Sequence, residues 1–170
     1  MQLHLRPAGP ADTGVVVEFN RRLARESEGK ELNTEILERG VRAVLADPAK
    51  GFYTIAEANG EVVGQCLVTF EWSDWRNGWY WWIQSVYVAE QARRSGVFRS
   101  LYRHLLDRAQ ADSDVIGLRL YVEDHNHRAK ATYTSLGMEL EPYRLMGLYP
   151  LPGRSCWIQP SETSPTIMAP

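Results

Sequence analysis

The chain carries 170 residues with 44% hydrophobic and 24% charged side chains, the balance of a soluble globule long enough for one sizeable core. A formal net charge of -2, from 19 basic and 21 acidic residues, gives no reason to expect a nucleic-acid partner, whose footprint is broadly basic. No apolar run is long enough to span a bilayer and the opening MQLHLRPAGPADT has no signal-peptide pattern, so no membrane partner and a cytoplasmic location are expected.

Residues 2–7 alternate as a short first strand closed by Pro7. Asp12 is placed as the N-cap of a first helix, with Val15, Val16, Phe19 and Leu23 on its apolar side and its end near Ala24. The polar RESEGKELN that follows reads as a loop or a frayed helix end. Asn33 caps a second helix with Ile36, Leu37, Val41, Val44 and Leu45 on one side, and Leu32 is set to staple onto Leu37. Asp47-Pro48 ends it, because a residue before proline avoids helical backbone. Phe52 to Ala58 and Val62 to Glu71 form two strands joined through Asn59-Gly60, a strong hairpin signal.

After a turn around Asp74 to Gly78, the aromatic and β-branched run Trp79 to Val88 predicts a central strand. Gln91 to Gly96 hold two arginines and a glycine. Val97, Phe98, Leu101, Tyr102, Leu105, Leu106 and Ala109 then fall on one side of a helical period. Ile116 to Val122 predict a strand, Asn126 to Leu136 a short helix stopped by Gly137, and Tyr143 to Tyr149 a last strand. From Pro150 the tail holds four prolines after position 151 and little periodicity. The boundaries are therefore a domain over 1–149 and a Pro/Ser/Thr-rich tail over 150–170, irregular or packed on the domain or a partner subunit, with Trp157-Ile158 as its anchor. Cys66 reads as a buried structural thiol, Cys156 lies in the tail, and the four histidines complete no metal-binding spacing, so no metal is expected.

A strand that runs into a short basic loop and then a helix makes an anion site, because the first helical N–H groups lack intrahelical partners and the dipole favours negative charge there. Two motifs sharpen this. Arg93, Arg94, Ser95, Gly96, Val97 and Phe98 match Arg/Gln-x-x-Gly-x-Gly/Ala, and Asn126, Ala129, Tyr133, Leu136, Gly137 and Met138 match Asn-x-x-Ala-x-x-x-Tyr-x-x-Leu-Gly-(Phe/Met) without a gap. With these motifs separated by one helix and one strand, residues 2–149 resemble the GCN5-related N-acetyltransferase (GNAT) superfamily.

The resemblance implies an α/β (α+β) fold: a mixed, mostly antiparallel sheet of six to seven strands with about four helices and a splayed fourth and fifth strand. It implies acetyl-CoA as cosubstrate. The pyrophosphate would rest on the amides of Arg94, Ser95, Gly96, Val97, Phe98 and Arg99, with Arg93, Arg94 and Arg99 adding positive charge. Val86, Tyr87 and Val88 would run beside the pantetheine arm, with an N–H near Val86 facing the thioester oxygen. Phe98 departs from the small residue of the motif, and its place in the helical period turns it to the apolar side.

The resemblance offers Tyr133 as the general acid; a helix aromatic packed on the sheet is the other reading. Asn126 is a cap and loop organiser that can touch the cofactor. Tyr102 and Tyr121 are placed in the core. Glu71 and Glu123, at two strand ends, are the candidate bases, and Gln84 is a candidate to position water or substrate. Acceptor recognition is expected between the first two helices and at the turn before the central strand. Glu26, Glu28 and Glu31 could attract an amine there, though Arg25 and Lys30 balance them. Five tryptophans between 72 and 82 exceed what a small core needs, so one or two are expected in the acceptor pocket or at a dimer interface. The expected activity is acetyl transfer to the primary amine of a small molecule (a polyamine, amino acid or xenobiotic) by direct attack in a ternary complex, by a chain that pairs as a homodimer. The alternatives are a protein or peptide N-acetyltransferase and a non-catalytic acyl-CoA-binding or regulatory module.

Overall fold

In the computed structural model, which describes residues 2–149 and 151–152, five strands stand side by side in chain order. They are β1 (Leu3–Pro7), β2 (Phe52–Ala58), β3 (Glu61–Ser73), β4 (Gly78–Val88) and β5 (Val115–Leu120). The first four pair antiparallel. Contacts between β4 and β5 advance together: Gly78 meets Ile116, Tyr80 meets Gly117, and Arg119 lies over the Tyr80 and Trp82 rings. That order makes β5 parallel to β4, so the sheet is mixed and mostly antiparallel. α1 (Thr13–Glu28) and α2 (Thr34–Ala46) lie between β1 and β2, α3 (Val97–Ala111) between β4 and β5, and α4 (His127–Ser135) follows β5.

The chain divides into two compact units, one reaching Arg119 and one starting at Leu120. The first holds the core. Tyr53 and Ile55, alternate residues of β2, are buried against Val16, Val17 and Val41 of α1 and α2. The opposite face receives α3: a Cβ on Gly64 would come within 2.9 Å of Val97 Cγ1. Arg108 of that helix lies 4.1 Å over the Phe52 ring. Each fully buried aliphatic side chain of this sandwich contributes about 1.5–3 kcal/mol.

Local signals explain most boundaries. Asn59 and Gly60 both have left-handed backbone, φ 52° and 81°, and close a two-residue turn between the Ala58–Glu61 pair. The Asn33 side chain accepts from Ile36 N at 3.1 Å and starts α2. α2 stops at Ala46, just before Asp47-Pro48.

Some expectations need correction. Asp12 occupies the position before α1 but does not cap it with its side chain. Its two oxygens instead accept from the Arg6 guanidinium at 2.8 Å each and from Gly9 N at 2.7 Å, in a tight 3-10 turn. α1 continues to Glu28, four residues past Ala24, because Ala24, Arg25 and Glu26 are good helix formers and Gly29, left-handed at φ 64°, is the first residue suited to stop it. Residues 143–149 form no strand. Five strands are therefore present among the described residues, where six to seven were expected. Apolar composition alone makes no strand without a neighbouring edge to complete its ladder. Tyr102 is buried as expected, whereas Tyr121, one residue past the end of β5, is 56% exposed rather than in the core. The tail anchor Trp157-Ile158 and Cys156 lie outside the described residues. Among those described, no helix is long and apolar enough to cross a membrane.

Candidate active site

The site is organised by an irregularity in β4. Gln65 pairs with Tyr87 and Leu67 with Gln84, so Ser85 and Val86 together oppose the single residue Cys66. The extra residue sits at a β-bulge, with Ser85 at φ 23°, a conformation that non-glycine residues rarely adopt. A bulge breaks the ladder locally and leaves the extra residue unpaired with β3. Past the bulge β4 ends at Val88, and the chain enters the loop expected to hold phosphate.

In that loop Arg94 and Gly96 both have left-handed backbone, φ 64° and 90°. Residues 93–96 are exposed, and a Cβ on Gly96 would meet nothing within 4 Å, so the backbone lies open to a ligand. Alternating left-handed residues before a helix turn successive N–H groups into one concavity. Gly96 O accepts from Ser100 N at 3.0 Å and begins α3. The Ser95 hydroxyl donates to Ala92 O at 2.6 Å, which fixes the loop from beneath. Val97 is buried and Phe98 half-buried, with the Phe98 ring 6.3 Å from that of Tyr102. The bulky residue thus leaves the amide row uncovered, and Arg99 is exposed at its end. These features fit a pyrophosphate.

Arg93 is tied back rather than loose. Its Nε donates to Val88 O at 3.1 Å, and its guanidinium pairs with Glu26 of α1. Tyr87, buried two residues past the bulge, donates its hydroxyl to Glu26 at 2.7 Å. The Tyr87 hydroxyl and Arg93 hold the Glu26 carboxyl below its usual range. Burial, with the Glu26 carboxylate beside it, raises the Tyr87 phenol.

The bulge also opens on a cleft of about 540 Å³ between α1, α2 and the sheet. Leu23, Leu32, Ile36, Leu37, Val44 and Leu67 make its walls apolar. Ser85, Tyr53 and Asn20 supply polar groups at the sheet side, and Glu28 and Lys30, paired at 2.5 Å, stand where α1 gives way to the loop. Acceptor recognition is expected between the first two helices and at the turn before the central strand; Glu28, Lys30 and Leu32 of the first stretch line the cleft, and no residue of the turn does. Ser85, Tyr53 and Asn20 line it without having been singled out by the sequence for that place. No propensity signals a bulge, and an aromatic residue in a strand reads as core.

The remaining candidates are dispersed. Gln84 donates to the Thr69 hydroxyl at 3.3 Å on the same sheet face as Leu67. The Glu71 carboxylate accepts from Trp82 Nε1 at 2.5 Å and from Arg119 at 3.0 Å, so it is already held by a cation. Glu26 belongs to the Tyr87–Arg93 cluster, and Glu31 pairs with Arg25. None of the five tryptophans, expected in the acceptor pocket or at a dimer interface, lines the cleft; Trp72, Trp75 and Trp79 are exposed around the β3–β4 turn, and Trp81 is buried under α3. Cys66 is buried, which pushes its thiol up to about 12 and keeps it out of chemistry at neutral pH.

Glu123, Asn126 and Tyr133 belong to the second unit. The Asn126 side chain accepts from Ala129 N at 3.0 Å and caps α4, as its motif position implies. Tyr133 is half-buried on α4, and its carbonyl accepts from Leu136 N and Met138 N. Gly137 follows at φ 89°, the left-handed stop that ends the helix. Glu123 is exposed, its carbonyl accepting from Asn126 N in the turn before α4.

Comparison with other proteins gives the same family. Residues 16–138 match the Acetyltransferase (GNAT) family. A possible acetyltransferase of Clostridium difficile 630 is 42% identical over 89% of this chain and 99% of its own, with a TM-score of 0.83. A predicted acetyltransferase of Clostridium acetobutylicum, solved with acetyl-CoA, is 19% identical, covers 86% and 96% of the two chains and superposes with a TM-score of 0.71. Glucosamine-6-phosphate N-acetyltransferase of Arabidopsis thaliana, 16% identical over 88% and 100% of the two chains with a TM-score of 0.68, shares the fold. No protein of curated function matches the chain. With the amide loop, the bulged fourth strand and a family match over most of its length, the chain belongs to the GNAT acetyltransferase family.

Proposed function

We propose that the protein is an acetyl-CoA-dependent N-acetyltransferase whose acceptor is the primary amine of a small molecule, attacked directly in a ternary complex. One observation carries the reading: a single strand, β4, opens its bulge on an apolar cleft and then delivers the exposed amide loop ahead of α3. Bound acetyl-CoA would supply an activated acetyl thioester. The amides of Arg94 to Arg99 would hold the pyrophosphate, and Val86, Tyr87 and Val88 would flank the pantetheine arm.

The chain's own groups then divide the work. A backbone N–H of the Ser85–Val86 bulge donates to the oxygen that gains negative charge as the amine attacks, a stabilisation already oriented before reaction. The cleft holds the amine beside it, which converts an encounter into a positioned reaction. As the new C–N bond forms and the C–S bond breaks, Tyr133 protonates the departing sulfur, and the amine's extra proton leaves to water. Support for Tyr133 is its place in the Asn126–Met138 motif. Gln84 orients water or substrate, since an amide takes no proton. Glu71, held by Arg119 and Trp82, is structural in this reading.

A thiol-release assay over a panel of small primary amines and lysine-containing peptides tests the proposal. Turnover of one or more small amines, with single-turnover kinetics showing no acetyl-enzyme, is the expected result. Turnover confined to peptides, or coenzyme binding with no turnover, overturns it.

A further inference from the structure

The cleft has a polar end with a direction built into it. Gln65, buried completely in β3, donates from Nε2 to Asn20 Oδ1 at 2.8 Å. Asn20, buried on α1, donates in turn from Nδ2 to the Tyr53 hydroxyl oxygen at 3.2 Å. Each link consumes an acceptor and passes a donor forward. The last oxygen therefore receives a hydrogen bond from Asn20, and its own proton is directed elsewhere. Asn20 and Tyr53 both line the cleft, whereas Gln65 stands behind them. Burial raises the Tyr53 phenol, which keeps the hydroxyl neutral and able to donate.

We propose that Tyr53 is a specificity-determining residue of the acceptor site, donating a hydrogen bond to an oxygen carried by an otherwise apolar primary amine. The inference rests on the acceptor reading of the cleft given above. Apolar walls of Leu23, Ile36, Leu37 and Leu67 favour a hydrocarbon body. Glu28 is the one carboxylate among the lining residues, and Lys30 neutralises it, so a polyamine finds no counter-charge for its second ammonium. A donor at the polar end of such a cleft selects by what an incorrect acceptor leaves unpaired: a methylene opposite the Tyr53 proton strands a buried donor.

The test uses the full chain, acetyl-CoA and heptylamine, together with isosteric amines in which one methylene is replaced by an ether oxygen at successive positions. At one position the ether should raise kcat/KM about tenfold over the methylene parent, the size of one neutral hydrogen bond. In Tyr53→Phe that ratio should fall to about one. Asn20→Asp should do the same with Tyr53 intact, because a carboxylate at position 20 accepts the Tyr53 proton and reverses the last link. Calorimetry of the same amines with coenzyme A present gives a readout that needs no turnover. Ether-selective binding that vanishes in both variants, without turnover of any amine, supports Tyr53 while sinking the transfer reading. No ether preference at any position, a preference surviving in Tyr53→Phe, or no binding of any amine to a protein that binds the coenzyme overturns the proposal.

Discussion

At the scale of residues, the protein places charge where it is matched and leaves open the groups that meet ligands. Asp12 receives two bonds from Arg6 and one from Gly9, and the Arg6 guanidinium holds its carboxyl below the ordinary range. A depressed folded value means that the contribution is complete above the unfolded pKa and disappears as pH falls through the folded one. Asp12→Asn is therefore expected to cost about 1.5–3 kcal/mol at neutral pH. It should also flatten the loss of stability as pH falls below about 4, the unfolded carboxyl's value. Urea melts of both proteins across that range check it, and parallel pH profiles would contradict it. Tyr133 makes a chemical prediction. As the proton donor its replacement in Tyr133→Phe should lower kcat by about 10²–10⁴ while acetyl-CoA affinity stays within about twofold. Calorimetry beside steady-state kinetics separates this from a packing role, which would move both.

At the scale of elements, the decisive feature is the β4 bulge. One of its N–H groups is the proposed donor to the reacting oxygen, so the clean perturbation removes one donor without altering shape. Exchange of Val86 for its α-hydroxy acid, replacing the amide by an ester, should lower kcat by about 10²–10³ and leave coenzyme binding within about threefold. A rate within a few-fold of the natural chain would move the oxyanion donor elsewhere. This is also where the sequence was least legible. Asn59-Gly60, Asn33 and Asp47-Pro48 announce a turn, a cap and a stop, because each acts on its neighbours alone. The bulge at Ser85 depends on how β3 and β4 register over their whole length, and Trp79 to Val88 read as an unbroken strand. Tyr53 was hidden in the same way: its contact with Asn20 spans 33 residues. Residues 143–149 show the converse, an apolar stretch that makes no strand because composition supplies no partner edge.

At the scale of the whole molecule, β4 joins two sites on opposite sides of one irregularity. Leu23 to Val44 wall the proposed acceptor cleft from the helical side, and the Arg94–Arg99 loop, proposed to hold the coenzyme, follows the strand's far end. Glu26 connects them, since it lies on α1 yet bonds Tyr87 of β4 and Arg93 of the loop. The Arg93–Phe98 motif marks the proposed coenzyme loop in the sequence, because a backbone cradle leaves a glycine signature at a fixed spacing. The acceptor end leaves none, for its walls are ordinary apolar residues drawn from two helices and the sheet. A ligand that binds the folded chain alone stabilises it, and acetyl-CoA at about 100 times its Kd should raise Tm by about 5–10 °C. An unchanged Tm at that saturation would mean that the folded chain gains nothing from the coenzyme.

Calorimetric titration of acetyl-CoA into the intact protein and into Gly96→Trp tests whether the Arg94–Arg99 amides hold the coenzyme. Gly96 has open space where a side chain would stand but a left-handed φ of 90°, so the indole would occupy the approach to the amides rather than the core while straining the backbone that holds them. One site per chain is expected in the intact protein, with an affinity at least about tenfold weaker in the variant, or about 1.4 kcal/mol. Equal affinity in the two proteins would place the coenzyme elsewhere, and no binding to the intact chain would rule out acetyl-CoA as its cosubstrate.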